Sequence, residues 1–189
     1  MIATPSQTVG PFFAFGLTAF KGAVRCIAGP QAKGERVLLV CRVLDGDDVP
    51  VPDAMIEIWQ ADADGKYNHP EDSQHEGCDQ GCLGFGRMGT NEDGQCEFET
   101  IKPGRVPGPN DVMQASHLNL AVFARGMLKQ LYTRMYFADD PANADDPILA
   151  LVPPERRNTL MSRPDRARSN GWSFDIHLQG ERETVFFDV

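Results

Sequence analysis

Ala54-Met55-Ile56-Glu57-Ile58-Trp59-Gln60 alternates in a way that only a strand explains. Side chains of an extended chain point to opposite faces in turn, so Ile56 and Ile58 share one face while Met55, Glu57 and Trp59 share the other. Outward from it the same pattern recurs in short pieces. Arg36 to Val43 is rich in Val and Leu and stops at the turn signal Asp45-Gly46-Asp47. Gln95 to Ile101 is stopped by Lys102-Pro103-Gly104, and His117 to Phe123 and Leu131 to Phe137 form a pair joined through Arg125-Gly126. Ser173 to Leu178 and Thr184 to Asp188 read as a closing hairpin around Gly180, and Pro153 to Met161 is the best helix candidate. Many short strands between turns predict an all-β sandwich or barrel with one short helix.

The connections divide the chain. Residues 1–34 hold prolines and glycines without sustained periodicity and read as an extended N-terminal arm; residues 35–189 read as a single domain. Asp62-Ala63-Asp64-Gly65 opens a long irregular stretch to Gly86, and residues 103–110 form a second Pro/Gly loop. Loops of that length in a compact domain are usually functional or interfacial. Asp139 to Asp146 reads as an acidic loop.

Bulk properties narrow the function. At 189 residues, with 41% hydrophobic and 24% charged residues, the chain has enough apolar material for one core. A formal net charge of -9 disfavours nucleic acid and anionic membrane as partners. No apolar run approaches the roughly 20 residues of a membrane span. The N-terminal residues lack the pattern of a signal peptide, which predicts a cytoplasmic protein with free thiols at Cys26, Cys41, Cys78, Cys82 and Cys96. An anionic ligand would need a local arginine. The concentration of Arg156, Arg157, Arg163, Arg166 and Arg168 reads as a solvated surface offsetting nearby acids.

Little in the chain reads as self-contained chemistry. There is no Gly-x-Ser-x-Gly elbow and no glycine-rich phosphate loop. Asp62 and Asp64 flank a turn glycine and read as turn formers. His69, His75, Cys78 and Cys82 share one loop and could supply tetrahedral zinc with two imidazoles and two thiolates, though their spacing matches no common finger; a polar loop with incidental cysteines is the alternative. His117 lies on a strand whose next same-face position is Asn119, an amide and a weak donor, so His117-Leu118-Asn119 is an incomplete His-x-His. Alone, His117 reads as a hydrogen-bonded core residue or as a single ligand.

Several segments together carry a resemblance. TPSQTVGPFF at 4–13, DAMIEIWQADADGKY at 53–67, GFGR at 84–87, TIKPG at 100–104, SHLNLAVFARG at 116–126, YTRMYF at 132–137 and the closing GERETVFFDV resemble the intradiol ring-cleavage dioxygenases nearly end to end. The resemblance implies a β-sandwich with long loops. In iron-bearing chains of that family, two tyrosines and a His-x-His pair hold Fe(III). Mapped here, the pair becomes His117 and Asn119, one tyrosine position falls near Val106 and the other near Gln74 or His75. The three tyrosines, Tyr67, Tyr132 and Tyr136, lie at neither position. The resemblance therefore implies the iron-free subunit of a heteromeric member, with no metal on this chain and Fe(III) held by an iron-bearing β subunit. It implies further that the arm reaches the partner's active site, where Thr8, Gly10, Pro11, Phe12 and Arg125 would line the pocket for a small aromatic acid and O2. A self-sufficient homo-oligomer with metal in the His69 to Cys82 loop, and a non-catalytic β-sandwich binding module, are the other readings.

Overall fold

The computed structural model describes residues 7–18 and 22–188. Eight strands carry the domain: β1 (Arg36–Leu44), β2 (Met55–Trp59), β3 (Phe85–Gly89), β4 (Gln95–Ile101), β5 (His117–Phe123), β6 (Leu131–Phe137), β7 (Met161–Pro164) and β8 (Gly171–His177). They run in the order β3-β2-β5-β6-β7-β8-β1-β4. The β1–β8 and β6–β7 pairs are parallel and the others antiparallel. The short β7 joins the two halves, pairing Tyr136 and Phe137 of β6 with Met161 and Ser162, then Arg163 and Pro164 with Ser173 and Trp172 of β8. The halves close over one core. Val37, Leu39, Cys41 and Val43 of β1 meet Ile56 and Ile58, Leu118, Leu120 and Val122, Met135 and Phe137, and Phe174 and Ile176. Each set occupies alternate positions on its strand, which is why the two-residue period reads directly as an inner and an outer face. The architecture is the all-β sandwich that the alternation predicted.

Three local expectations are corrected. The stretch Pro153 to Met161 is a 3-10 helix over Pro154–Leu160, and Met161 already belongs to β7. Thr184 to Asp188 does not close a hairpin on β8. The Thr184 amide still bonds His177 O, but the Phe187 amide donates to Tyr132 O at 2.8 Å, so the end of the chain crosses to β6. β3 was hidden by its glycines. A side chain at Gly86 would lie 2.6 Å from Ile27 Cγ1, so close packing demands the residue that weakens the strand signal.

The N-terminal stretch is not extended throughout. α1 (Pro11–Leu17) is a short helix, opened by a proline whose missing amide costs nothing in a first turn. The Phe13 amide donates to Gly10 O at 3.0 Å. Val24 bridges to Arg87, Cys26 to Glu99 and Ala28 to Cys82, and Ile27 and Ala28 are fully buried. The second half of the stretch thus lies along the sheet edges as part of the core. Thr4, Pro5 and Ser6 of the first quoted family segment fall outside the described residues.

Candidate functional site

The outer face of β2, β5 and β6 carries His117 and Asn119, the histidine-pair positions of the resemblance. The register sets Trp59 opposite Asn119 and Asn119 opposite Arg134, with His117 opposite Tyr136. Two cavities open beside Trp59. One of about 520 Å³ is lined by Tyr67, His69, Gln74 and Val106; the other, about 430 Å³, by Asn119, Tyr132, Arg134 and Phe187. Behind His117 and Tyr136, Asp146 is buried and accepts from the amides of Ala115, Ile148 and Leu149 and from the Tyr136 hydroxyl. The sequence reads Asp146 as the end of an acidic loop; nothing local to it signals that Ala115 and Tyr136, from two other segments, join the amides of Ile148 and Leu149 on its carboxylate.

Burial holds the imidazole and the phenols of this region in their neutral forms. His117 is buried and its Nδ1 lies 2.8 Å from Ala115 O, so Nδ1 carries the proton that the carbonyl accepts. Burial first, and the Arg134 charge second, push its pKa down to about 4. Arg134 Nη1 donates to Gln114 Oε1 at 2.6 Å. Tyr67 stacks on Trp59, centroids 6.0 Å apart, and burial raises its phenol. Burial likewise raises Tyr136.

These residues do not fit a ferric ion. Fe(III) binding in this chemistry needs several anionic or imidazole donors in one geometry. Here one neutral imidazole stands with an amide, the expected tyrosine positions hold Val106 and Gln74 or His75, and a guanidinium shares the face. Among the described residues no group of three or more His, Cys, Asp or Glu side chains is placed to hold a metal. His69 sets its edge against Trp59, Cys78 takes a bond from Gln80 Nε2 at 3.2 Å, and Cys82 packs with Ala28 and Ile101. His75 Nδ1 lies 3.9 Å from Cys78 Sγ, but no third member of the four joins them, and all five cysteines are free. Asp62 is the turn former it was read to be, accepting from the amides of Asp64, Lys66 and Asp79. Of the basic group, Arg156 bonds Glu183 O, Arg157 bonds Val152 O and Ala150 O, and Arg168 pairs with Glu97. Among the described residues no helix is long and apolar enough to cross a membrane.

A second cluster forms at the other end of β5, roughly 20 Å along the strand from His117. The Gly126 amide donates to Thr8 Oγ1 at 2.8 Å, which brings the start of the described arm against the turn that carries Arg125. Phe13 packs on Phe123, centroids 5.4 Å apart, and anchors α1 there. Phe12, one residue earlier, is 86% exposed. A Cβ at Gly10 would meet nothing within 4 Å. The backbone of Pro11 opens α1, but its side chain lies outside the described residues. Arg125 is 75% exposed, with its Nε 2.8 Å from Asp53 Oδ2. Thr8 and Arg125 are thus neighbours, with Gly10 and Phe12 on the same arm. None of these groups is a nucleophile or a metal ligand; the cluster offers an exposed ring, an open backbone and a cation, which is equipment for binding. Asp53 is the member that sequence reading missed, since its pairing is visible only once the turns before β2 and after β5 are adjacent.

A family model described as Dioxygenase matches residues 8–180. The chain belongs to the intradiol dioxygenase family, which is iron-dependent. It is 45% identical to the protocatechuate 3,4-dioxygenase alpha chain of Burkholderia cepacia, over 98% of this chain and 97% of that one. It is also 37% identical to the protocatechuate 3,4-dioxygenase beta chain of the same organism, over 80% of this chain and 67% of the beta chain. The fold matches the dioxygenase domain of a dioxygenase carbohydrate-binding protein fusion from Streptomyces sp. SirexAA-E, with a TM-score of 0.64 at 24% identity, covering 94% of this chain and 98% of that domain.

Proposed function

We propose that this chain is the iron-free alpha subunit of a protocatechuate 3,4-dioxygenase and works only with an iron-bearing beta subunit. The observation that carries the reading is the donor set of its own cleft: His117 stands with Asn119 and the Arg134 guanidinium where a ferric ion needs anionic partners. In the assembly the partner holds Fe(III), at which protocatechuate is opened by O2 to 3-carboxy-cis,cis-muconate. This chain contributes shape and charge. The start of its N-terminal arm, at Thr8 to Phe12, reaches the partner's active site. There Thr8 and Gly10 let the backbone approach, Pro11 fixes the backbone through its ring-locked φ, Phe12 presents a flat apolar face to an aromatic ring, and Arg125 faces the substrate's carboxylate. Phe12 has no hydroxyl, so its contribution is packing alone.

Co-expression with a beta-type chain carrying His-x-His and two tyrosines tests this. A stable complex that cleaves protocatechuate, with iron following the beta chain, is the expected outcome. Stoichiometric iron and ring cleavage by this chain alone would overturn it. Failure to form any complex would favour a binding module that kept the fold without the activity.

A further inference from the structure

Arg125 sits between two tethers. On one side the arm holds its turn, through the hydrogen bond from the Gly126 amide to Thr8 Oγ1. On the other, Asp53 holds the side chain itself, Oδ2 against Nε at 2.8 Å. The ion pair keeps the guanidinium beside Asp53 while three-quarters of the Arg125 side chain remains exposed.

Asp53 is unusual in its backbone as well. Its φ is 59°, in the left-handed region that most side chains avoid. Glycine would sit there without strain, and asparagine enters the region as readily as aspartate. The turn geometry therefore accounts for a residue of this kind but not for its negative charge. The charge has one visible use, the pairing with Arg125.

We infer that Asp53 is a positioning residue for Arg125, orienting its guanidinium toward a carboxylate-bearing aromatic substrate in the partner's active site. This rests on the reading of Arg125 as a pocket residue. Its consequence is selective. Loosening an arginine that meets the substrate's carboxylate weakens binding of a charged catechol and leaves an uncharged one unaffected.

The test uses the alpha–beta complex with protocatechuate and catechol as paired substrates. Asp53→Asn keeps the turn and removes the charge. It should raise KM for protocatechuate about 5-fold, the order of one charge-assisted contact loosened rather than deleted, with KM for catechol unchanged. Asp53→Gly should raise KM for protocatechuate in the same way while leaving the thermal midpoint equal or higher, because it relieves the backbone. That opposition of stability and KM is what a merely structural role would not produce. Arg125→Ala is measured beside them. If it raises KM for protocatechuate while Asp53→Asn does not, the role of Asp53 is overturned and the pocket role of Arg125 survives. If Arg125→Ala changes neither substrate, both fall together.

Discussion

Thr8 Oγ1 accepts a 2.8 Å hydrogen bond from the amide of Gly126, joining the arm to the turn after β5 across 118 residues of sequence. The turn itself is set by Gly126, whose φ of 85° suits glycine. Arm and Arg125 are therefore positioned as one unit. Thr8→Val keeps the shape and removes the acceptor, at a cost of about 1 kcal/mol or less for a bond near the surface. In the assembled enzyme it should raise KM with bound iron unchanged, and Thr8→Ser should restore the parent value. Equal kinetics for all three would show that the tether does not serve the site.

Phe12 and Phe13 are adjacent and should behave differently. Phe13 packs on Phe123, whereas Phe12 is 86% exposed. Phe13→Ala should destabilise the chain by about 1–2 kcal/mol, the range for losing a partly buried aromatic contact. Phe12→Ala should leave the denaturation midpoint of the isolated chain unchanged yet weaken substrate binding in the complex. A loss of stability in both would place Phe12 in this chain's own packing.

Gly10 has no steric reason within the chain to be glycine, since a Cβ there meets nothing within 4 Å. Gly10→Val should fold normally. In the complex it should lower turnover by moving the arm off the pocket, with iron content unchanged. Loss of iron in that complex would mean that the arm supports the metal site rather than the substrate.

Stability should report the burial of His117. The folded imidazole titrates at about 4, because burial and then Arg134 disfavour its charged form, whereas an unfolded histidine titrates near ~6.5. Between those values the unfolded chain binds the extra proton. Stability that is complete above pH ~6.5 is thus lost as pH falls toward about 4, by an amount on the order of 3 kcal/mol. Urea denaturation of the chain and of His117→Gln across this window should show the difference between them shrinking as the pH falls. A constant difference would show that His117 is not held neutral.

Periodicity made the frame legible. Arg36 to Val43, Ala54 to Gln60, Gln95 to Ile101, His117 to Phe123 and Leu131 to Phe137 are strands within a residue or so of where alternation put them. The failures share a cause in tertiary contact. β3 carries glycines because Ile27 and Phe98 lie against it. The chain end pairs with Tyr132 rather than β8, a choice no local pattern encodes. α1 was obscured because its residues, Pro11 to Leu17, include a proline and a glycine, although the proline stands where helices accept it. The donor deficit at His117 and Asn119 could be read from strand spacing alone, because same-face neighbours are two residues apart. The guanidinium of Arg134 beside them could not, since β5 and β6 bring it there only by their register.

Iron content decides the account most directly. The chain purified alone and the chain co-expressed with a beta-type partner should be compared by metal analysis and by visible absorption. The chain alone should show no stoichiometric iron, no tyrosinate-to-iron band and no ring cleavage, and all three should appear in the complex. A coloured, iron-loaded and active single chain would contradict it.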